Sequence, residues 1–259
     1  MSANTTVERV LRNDRILLIA GLLLVVVLSW AYLLAGAGTM QDMDGMLMPM
    51  SSGPWTVSHA MVMLAMWAVM MAAMMLPSAA PMILLHATIA RNRHASDQPA
   101  AASCIFILGY IAVWTGFSVG AVALQFWLEK LALLSPMMET TSIVLAGSVL
   151  IAAGLYQWTP LKQACLRRCR SPLEFVLMHW RQGARGAFVM GAQHGVFCIG
   201  CCWMLMLLLF VGGVMNIGWI AGLAIFVLVE KLAPAGHWIG RGAGTVLIAW
   251  GAATLLMAA

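Results

Sequence analysis

Gly186-Ala-Phe-Val-Met-Gly191-Ala-Gln-His194-Gly-Val-Phe-Cys198-Ile-Gly-Cys201-Cys202-Trp203-Met-Leu-Met-Leu-Leu-Leu-Phe210 is a run without a single charged residue. It exceeds the roughly 20 residues that a helix needs to cross a hydrocarbon core. At 100° per residue, with His194 at 0°, Cys198 falls at about 40°, Cys201 at about −20° and Cys202 at about 80°. One imidazole and three thiols therefore share one side of an apolar helix. No alternating strand pattern appears, which argues against a β-barrel.

Comparable apolar blocks run over 16–35, 58–82, 103–128, 141–158, 215–229 and 242–259. The last is marginal in length, so the expected fold is all-α, a polytopic transmembrane helix bundle of six to seven spans. Composition agrees: 63% of residues are hydrophobic and 9% charged, with a mean hydropathy of +0.92. A soluble domain carries about 25% charged residues.

The net charge of +5 and the pI near 9.1 could mark a nucleic-acid binder. Charge placement decides otherwise. With the N-terminus inside, Arg9, Arg12, Arg15, Arg91, Arg93, Lys162, Arg167, Arg168, Arg170, Arg181, Arg185, Lys231 and Arg241 fall in the cytoplasm, and Lys130 alone falls outside. This is the positive-inside pattern. It predicts a multi-pass protein of a bacterial inner membrane, with lipid as its surroundings and no nucleic-acid partner. Residues 1–15 form a cytoplasmic segment and 16–259 one transmembrane domain. That domain has a methionine-rich outer loop at 38–57 and a basic inner loop at 159–185. The first apolar run also resembles a signal peptide, but it is longer than the usual 7–15 residue core, so a retained helix is expected.

The outer loop holds Met40, Met43, Met46, Met48 and Met50 with Asp42 and Asp44, a thioether set suited to soft monovalent cations. Methionine is equally an adaptable packing residue, and both readings stand. In the second span His59, Met63, Met66, Met70 and Met74 share a face, a histidine heading a thioether ladder. Pro77 and Pro81 lower on the same span predict a kink or a break. Gly116-x3-Gly120 and Gly191-x3-Gly195 are candidate close-packing faces. In the basic loop Cys165 and Cys169 stand four apart, so one helical turn puts both thiols on one side. Neighbouring arginines favour the thiolate.

Three motifs, Met66-Trp-x2-Met70-Met-Ala-Ala-Met74-Met-x-Pro77-x3-Pro81, Tyr156-Gln-x-Thr-Pro-Leu-Lys-x2-Cys165-Leu-x2-Cys169-x2-Pro172 and His194-Gly-x2-Cys198-x-Gly-Cys201-Cys202-Trp203, carry a resemblance. The chain resembles a bacterial family of predicted metal-binding integral membrane proteins, a domain of unknown function, over about residues 55–255. The resemblance implies metal binding and supplies no reaction.

Taken from the residues, the candidate metal ligands are His194, Cys198, Cys201, Cys202, His59, Met63, Met66, Met70, Met74, Cys165 and Cys169. Thiol, thioether and imidazole together select Cu(I). The expected function is binding, translocation or hand-over of Cu(I), with a copper chaperone or metalloprotein as partner. No nucleotide-binding motif accompanies it, so any transport is expected to be passive, gradient-driven or dependent on a partner, and the leading reading is not an enzyme. The alternative is a membrane thiol-disulfide oxidoreductase using Cys198, Cys201 and Cys202, with Cys165 and Cys169 as a relay. A haem site with His59, His86 or His194 as axial ligand leaves the thiols unused. Zinc suits thiol and imidazole but not the thioethers.

Overall fold

The computed structural model describes residues 3–37, 40–43, 46–49, 55–92 and 99–257. The chain is a helical bundle, as expected. Helix α1 (Ala3–Leu34) leads to a short antiparallel ribbon, β1 (Met40–Met43) and β2 (Met46–Pro49), in which Met43 pairs with Met46 and Met40 with Pro49. The methionine loop is thus partly paired along its backbone, while Asp44 and Met50 lie outside the described residues. Arg93 and His94 lie outside them as well.

Then follow α2 (Val57–Asn92), α3 (Pro99–Lys130), α4 (Ile143–Trp158), α5 (Pro160–Arg170), α6 (Pro172–His179), α7 (Gly183–Leu207), the single turn α8 (Leu209–Gly212), α9 (Ile217–Leu232) and α10 (Gly236–Leu256). Among the described residues five helices are long and apolar enough to cross a membrane. There are six if α4 and α5, bent by 64° across Thr159, count as one broken span. Helix α9, with 16 residues, is shorter than these.

Local chemistry explains the boundaries. Ser142, Thr159 and Asn216 cap α4, α5 and α9, each accepting the backbone N–H three residues on. Pro160 and Pro172 stand at first helical positions, where no N–H is needed. The bend between α4 and α5 follows from this pairing. Thr159 is extended at ψ 144°, as the residue before a proline must be, and serves as cap on both sides. Pro77 and Pro81, by contrast, do not interrupt α2. The basic stretch 159–185 is folded into α5, α6 and the start of α7.

The bundle is centred on α2 and α7, each half buried along its apolar window, whereas only 11% of the α1 window is covered. Helices α3 and α7 cross at glycine. A methyl on Gly191 would run into the Phe106 carbonyl, and one on Gly109 into the Phe188 carbonyl; Gly195 faces Val113. The Gly191/Gly195 expectation holds. Gly116 and Gly120 are not close-packing positions: among the described residues a methyl on either would meet no atom within 4 Å. The α3 crossing uses Gly109, about two turns before Gly116, because that is where α3 passes the small face of α7.

Candidate metal centre

Helix α7 buries Cys198, Cys201 and Cys202 almost completely. The three thiols turn in different directions because each meets a different neighbouring helix. Helix α5 runs beside α7 and brings Cys169 Sγ to 4.0 Å from Cys201 Sγ. Helix α2 brings Met75 Sδ to 3.9 Å from Cys202 Sγ. Cys201 and Cys202 also donate back to the Cys198 carbonyl, at 3.1 and 2.8 Å.

Cys198 has a polar surrounding of its own. Lys231, from the last turn of α9, donates to Cys198 Sγ at 2.9 Å and to Ser78 Oγ at 3.0 Å. The Tyr110 hydroxyl of α3 lies 3.0 Å from the same sulfur and 3.3 Å from the Met75 carbonyl, and its single proton serves one of them. Lys231 is buried and no carboxylate pairs with it among the described ion pairs. The neighbouring Glu230 is matched instead by Lys162 of α5, at 2.8 Å and with both side chains out of contact with solvent. Cys198 is thus the thiol of the three that a buried ammonium addresses directly.

The fifth thiol, Cys165, packs against Gly200. A methyl at Gly200 would stand 2.6 Å from Cys165 Sγ, so the glycine leaves the space this thiol fills. The Tyr156 hydroxyl donates to the Gly200 carbonyl and fixes α4 to the same point.

The remaining expected ligands lie elsewhere. The His194 ring packs among Tyr110 (5.7 Å between centroids), Phe106 (6.3 Å) and Phe175 (5.5 Å), and its Nδ1 has no hydrogen-bond partner. His59 sits half-buried at the start of α2, edge-on to Trp55 at 4.8 Å. Met63, Met66, Met70 and Met74 are buried in the core, and Met63 Sδ accepts from the Gln125 amide at 3.4 Å. The ladder is continuous along α2, but the methionine that touches a thiol is Met75, on another side of the helix. Among the described residues no three histidine, cysteine or carboxylate side chains converge as a metal cage. The soft donors meet in pairs.

A family model described as a copper chaperone, PpoB2, matches residues 64–254. The chain belongs to this PpoB2 copper chaperone family. No curated protein and no solved structure matches the chain. The family match supports copper handling in general and names no donors. Paired thiol and thioether sulfurs suit a soft monovalent ion, whereas a structural zinc takes four ligands in a tetrahedron.

Lys231, Tyr110, Ser78 and Met75 are the residues of this region that sequence reasoning passed over. Lys231 was read as one of the cytoplasmic charges of the positive-inside pattern. Its signal was the pair Glu230-Lys231 at the end of an otherwise uncharged apolar helix. Charges within such a helix turn inward and find partners.

Proposed function

We propose that the chain is a membrane-embedded Cu(I) chaperone that holds its ion between Cys201 of α7 and Cys169 of α5. The observation that carries this is their 4.0 Å separation, spanning two helices that the sequence keeps apart. Two metal–sulfur bonds of about 2.3 Å, the length found for zinc thiolates, span about 4.6 Å end to end. A shift of a few tenths of an ångström in either side chain admits the ion. Cys202 of α7 and Met75 of α2, 3.9 Å apart, form a second soft pair, and Cys165 stands one turn from Cys169.

In this reading His59, Met63, Met66, Met70 and Met74 form the approach along α2, and the methionine-rich ribbon gathers ions at its mouth. His194 supports the thiol helix among its aromatic neighbours. The protein lies in a bacterial inner membrane with its N-terminus in the cytoplasm. It hands copper to a metalloprotein or a second copper chaperone. Hand-over is helped by a site on α5, the helix that turns by 64° from α4 at Thr159.

One observation favours the alternative, thiol-disulfide exchange. Lys231 and Tyr110 both place polar groups within 3.0 Å of Cys198 Sγ, polar company that a thiol in exchange chemistry would use. One experiment separates the two readings. The anaerobically purified protein is loaded with Cu(I), and metal content is compared with Cys169→Ser and Cys201→Ser. The copper reading expects each substitution to remove the same equivalent, with X-ray absorption showing sulfur neighbours in the native protein only. If copper content is unchanged in both, and the native thiols cycle against a quinone or a dithiol protein, the oxidoreductase reading replaces it.

A further inference from the structure

A second polar site lies on the side of α5 that faces away from the thiols. A cavity of about 480 Å³ is lined by Trp158 of α4, by Pro160, Gln163, Leu166, Arg167 and Arg170 of α5, and by His237 and Arg241 of α10. Pockets that hold a small ligand measure about 300–1,000 Å³. At 100° per residue Gln163, Arg167 and Arg170 fall within about 60° of one another, while Cys165 and Cys169 fall on roughly the opposite face.

The cavity has charge without a counter-charge. Helices α4, α5, α9 and α10 carry a single carboxylate between them, Glu230, and it is bound to Lys162. Arg170 spans the gap to α9 by donating to the Ala233 carbonyl and, at 2.7 Å, to the Pro234 carbonyl. The Arg241 guanidinium carbon lies 5.6 Å from the Trp158 ring centre and 5.1 Å from that of Trp238, and its buried Nε has no hydrogen-bond partner among the described residues. Three guanidinium groups and an imidazole thus border one space, and one donor in it is unmet.

We propose that this cavity binds the phosphate headgroup of an anionic phospholipid. Its placement is that of a headgroup: Trp158 and Trp238 are exposed beside it, as aromatic residues are at a membrane–water interface. Basic pockets between spanning helices on the inner side take such headgroups. Guanidinium groups recognise phosphate oxygens through paired hydrogen bonds. The inference rests on the reading of these helices as membrane spans and is independent of copper.

The test is native mass spectrometry of the full chain released from detergent after incubation with phosphatidylglycerol or phosphatidylcholine. Native protein is expected to retain phosphatidylglycerol selectively. Arg167→Gln and Arg241→Gln should each weaken retention by about tenfold or more, the worth of one hydrogen bond to a charged group. Arg168→Gln removes equal charge from α5 outside the cavity, where Arg168 lies over Phe197, and should retain the lipid. Equal loss with Arg168→Gln, or no loss with either cavity variant, overturns the proposal. Inorganic phosphate in excess that binds in place of any lipid assigns the cavity to free phosphate and overturns the lipid source. Cu(I) content measured on the same samples should be native in every variant, so failure here is distinct from failure of the copper reading. Circular dichroism of each variant confirms that the helices are intact.

Discussion

The α4–α10 pair and the surroundings of α7 are both helix contacts inside one bundle, and they are built on opposite principles. Between α4 and α10 the space is emptied. Gly147 and Gly154 on one helix face Gly251 and Gly244 on the other, seven residues apart on each, and a methyl on any of the four would strike the opposing chain. Backbone lies on backbone and nothing chemical is left between them. Around α7 the space is filled with sulfur and charge: five thiols, a thioether, two tyrosines and two lysines with one glutamate. A seam of small residues needs only shape. A polar interior needs every group matched, and it is retained where the groups are used. The contrast separates packing from function within one chain.

The largest effect expected from breaking the contrast is at the buried ion pair. Lys162→Met leaves Glu230 buried without a partner, a change worth about 3–5 kcal/mol of destabilisation for an orphaned buried charge. The double variant Lys162→Met/Glu230→Leu should recover most of that loss, since an apolar replacement of both partners is often neutral. Thermal unfolding of the detergent-solubilised protein measures both. A single variant as stable as the native chain would mean that the pair is not a brace of the interior.

The seam should respond to volume alone. Gly154→Ala places a methyl 2.6 Å from the Gly244 carbonyl oxygen, and overpacking of this kind costs about 1–3 kcal/mol. Gly116→Ala, where nothing lies within 4 Å, should be neutral or gain about 0.5–1 kcal/mol from helix propensity. Neither should change Cu(I) content. If Gly116→Ala destabilises as much as Gly154→Ala, then α3 has a close neighbour at Gly116 after all.

The helical class and the apolar spans could be read from sequence because composition and block length report on the solvent of the chain, and these follow from residue type. The same holds for Gly191 and Gly195, whose spacing within an uncharged run signals close approach. What could not be read is which helix approaches which. Gly116-x3-Gly120 carries the same local pattern and has no close neighbour among the described residues, and Gly147-x6-Gly154 carries the α4–α10 seam without standing out. The site shows the same division. Cys198, Cys201 and Cys202 were visible on one helix, and the pairing of Cys201 with Cys169 depends on the bend at Thr159. The thioether ladder on α2 follows from helical periodicity. That Met75 rather than Met74 meets a thiol depends on how α2 is rotated in the bundle, a property of all its neighbours together. Lys231 was hidden by a rule that counts charges in loops, applied to a residue that the structure draws into the core.

The smallest expected effect is the most informative about which cysteines belong to the centre. Gly200→Ala brings a methyl to 2.6 Å from Cys165 Sγ, but the obstacle is a side-chain tip that can rotate. The stability cost should therefore stay below the roughly 1–3 kcal/mol of a rigid overpacking clash. The Cys165 thiol must leave its place against α7. Mass-spectrometric mapping of maleimide labelling should then show Cys165 reacting several-fold faster, with Cys169 and Cys201 unchanged. Cu(I) content decides the meaning. If it stays native, Cys165 is a neighbour of the centre, and the ion is held by the pair that joins α5 to α7. If copper is lost while labelling of Cys169 and Cys201 is unchanged, Cys165 is itself a ligand, and the centre extends one turn up α5 toward the bend.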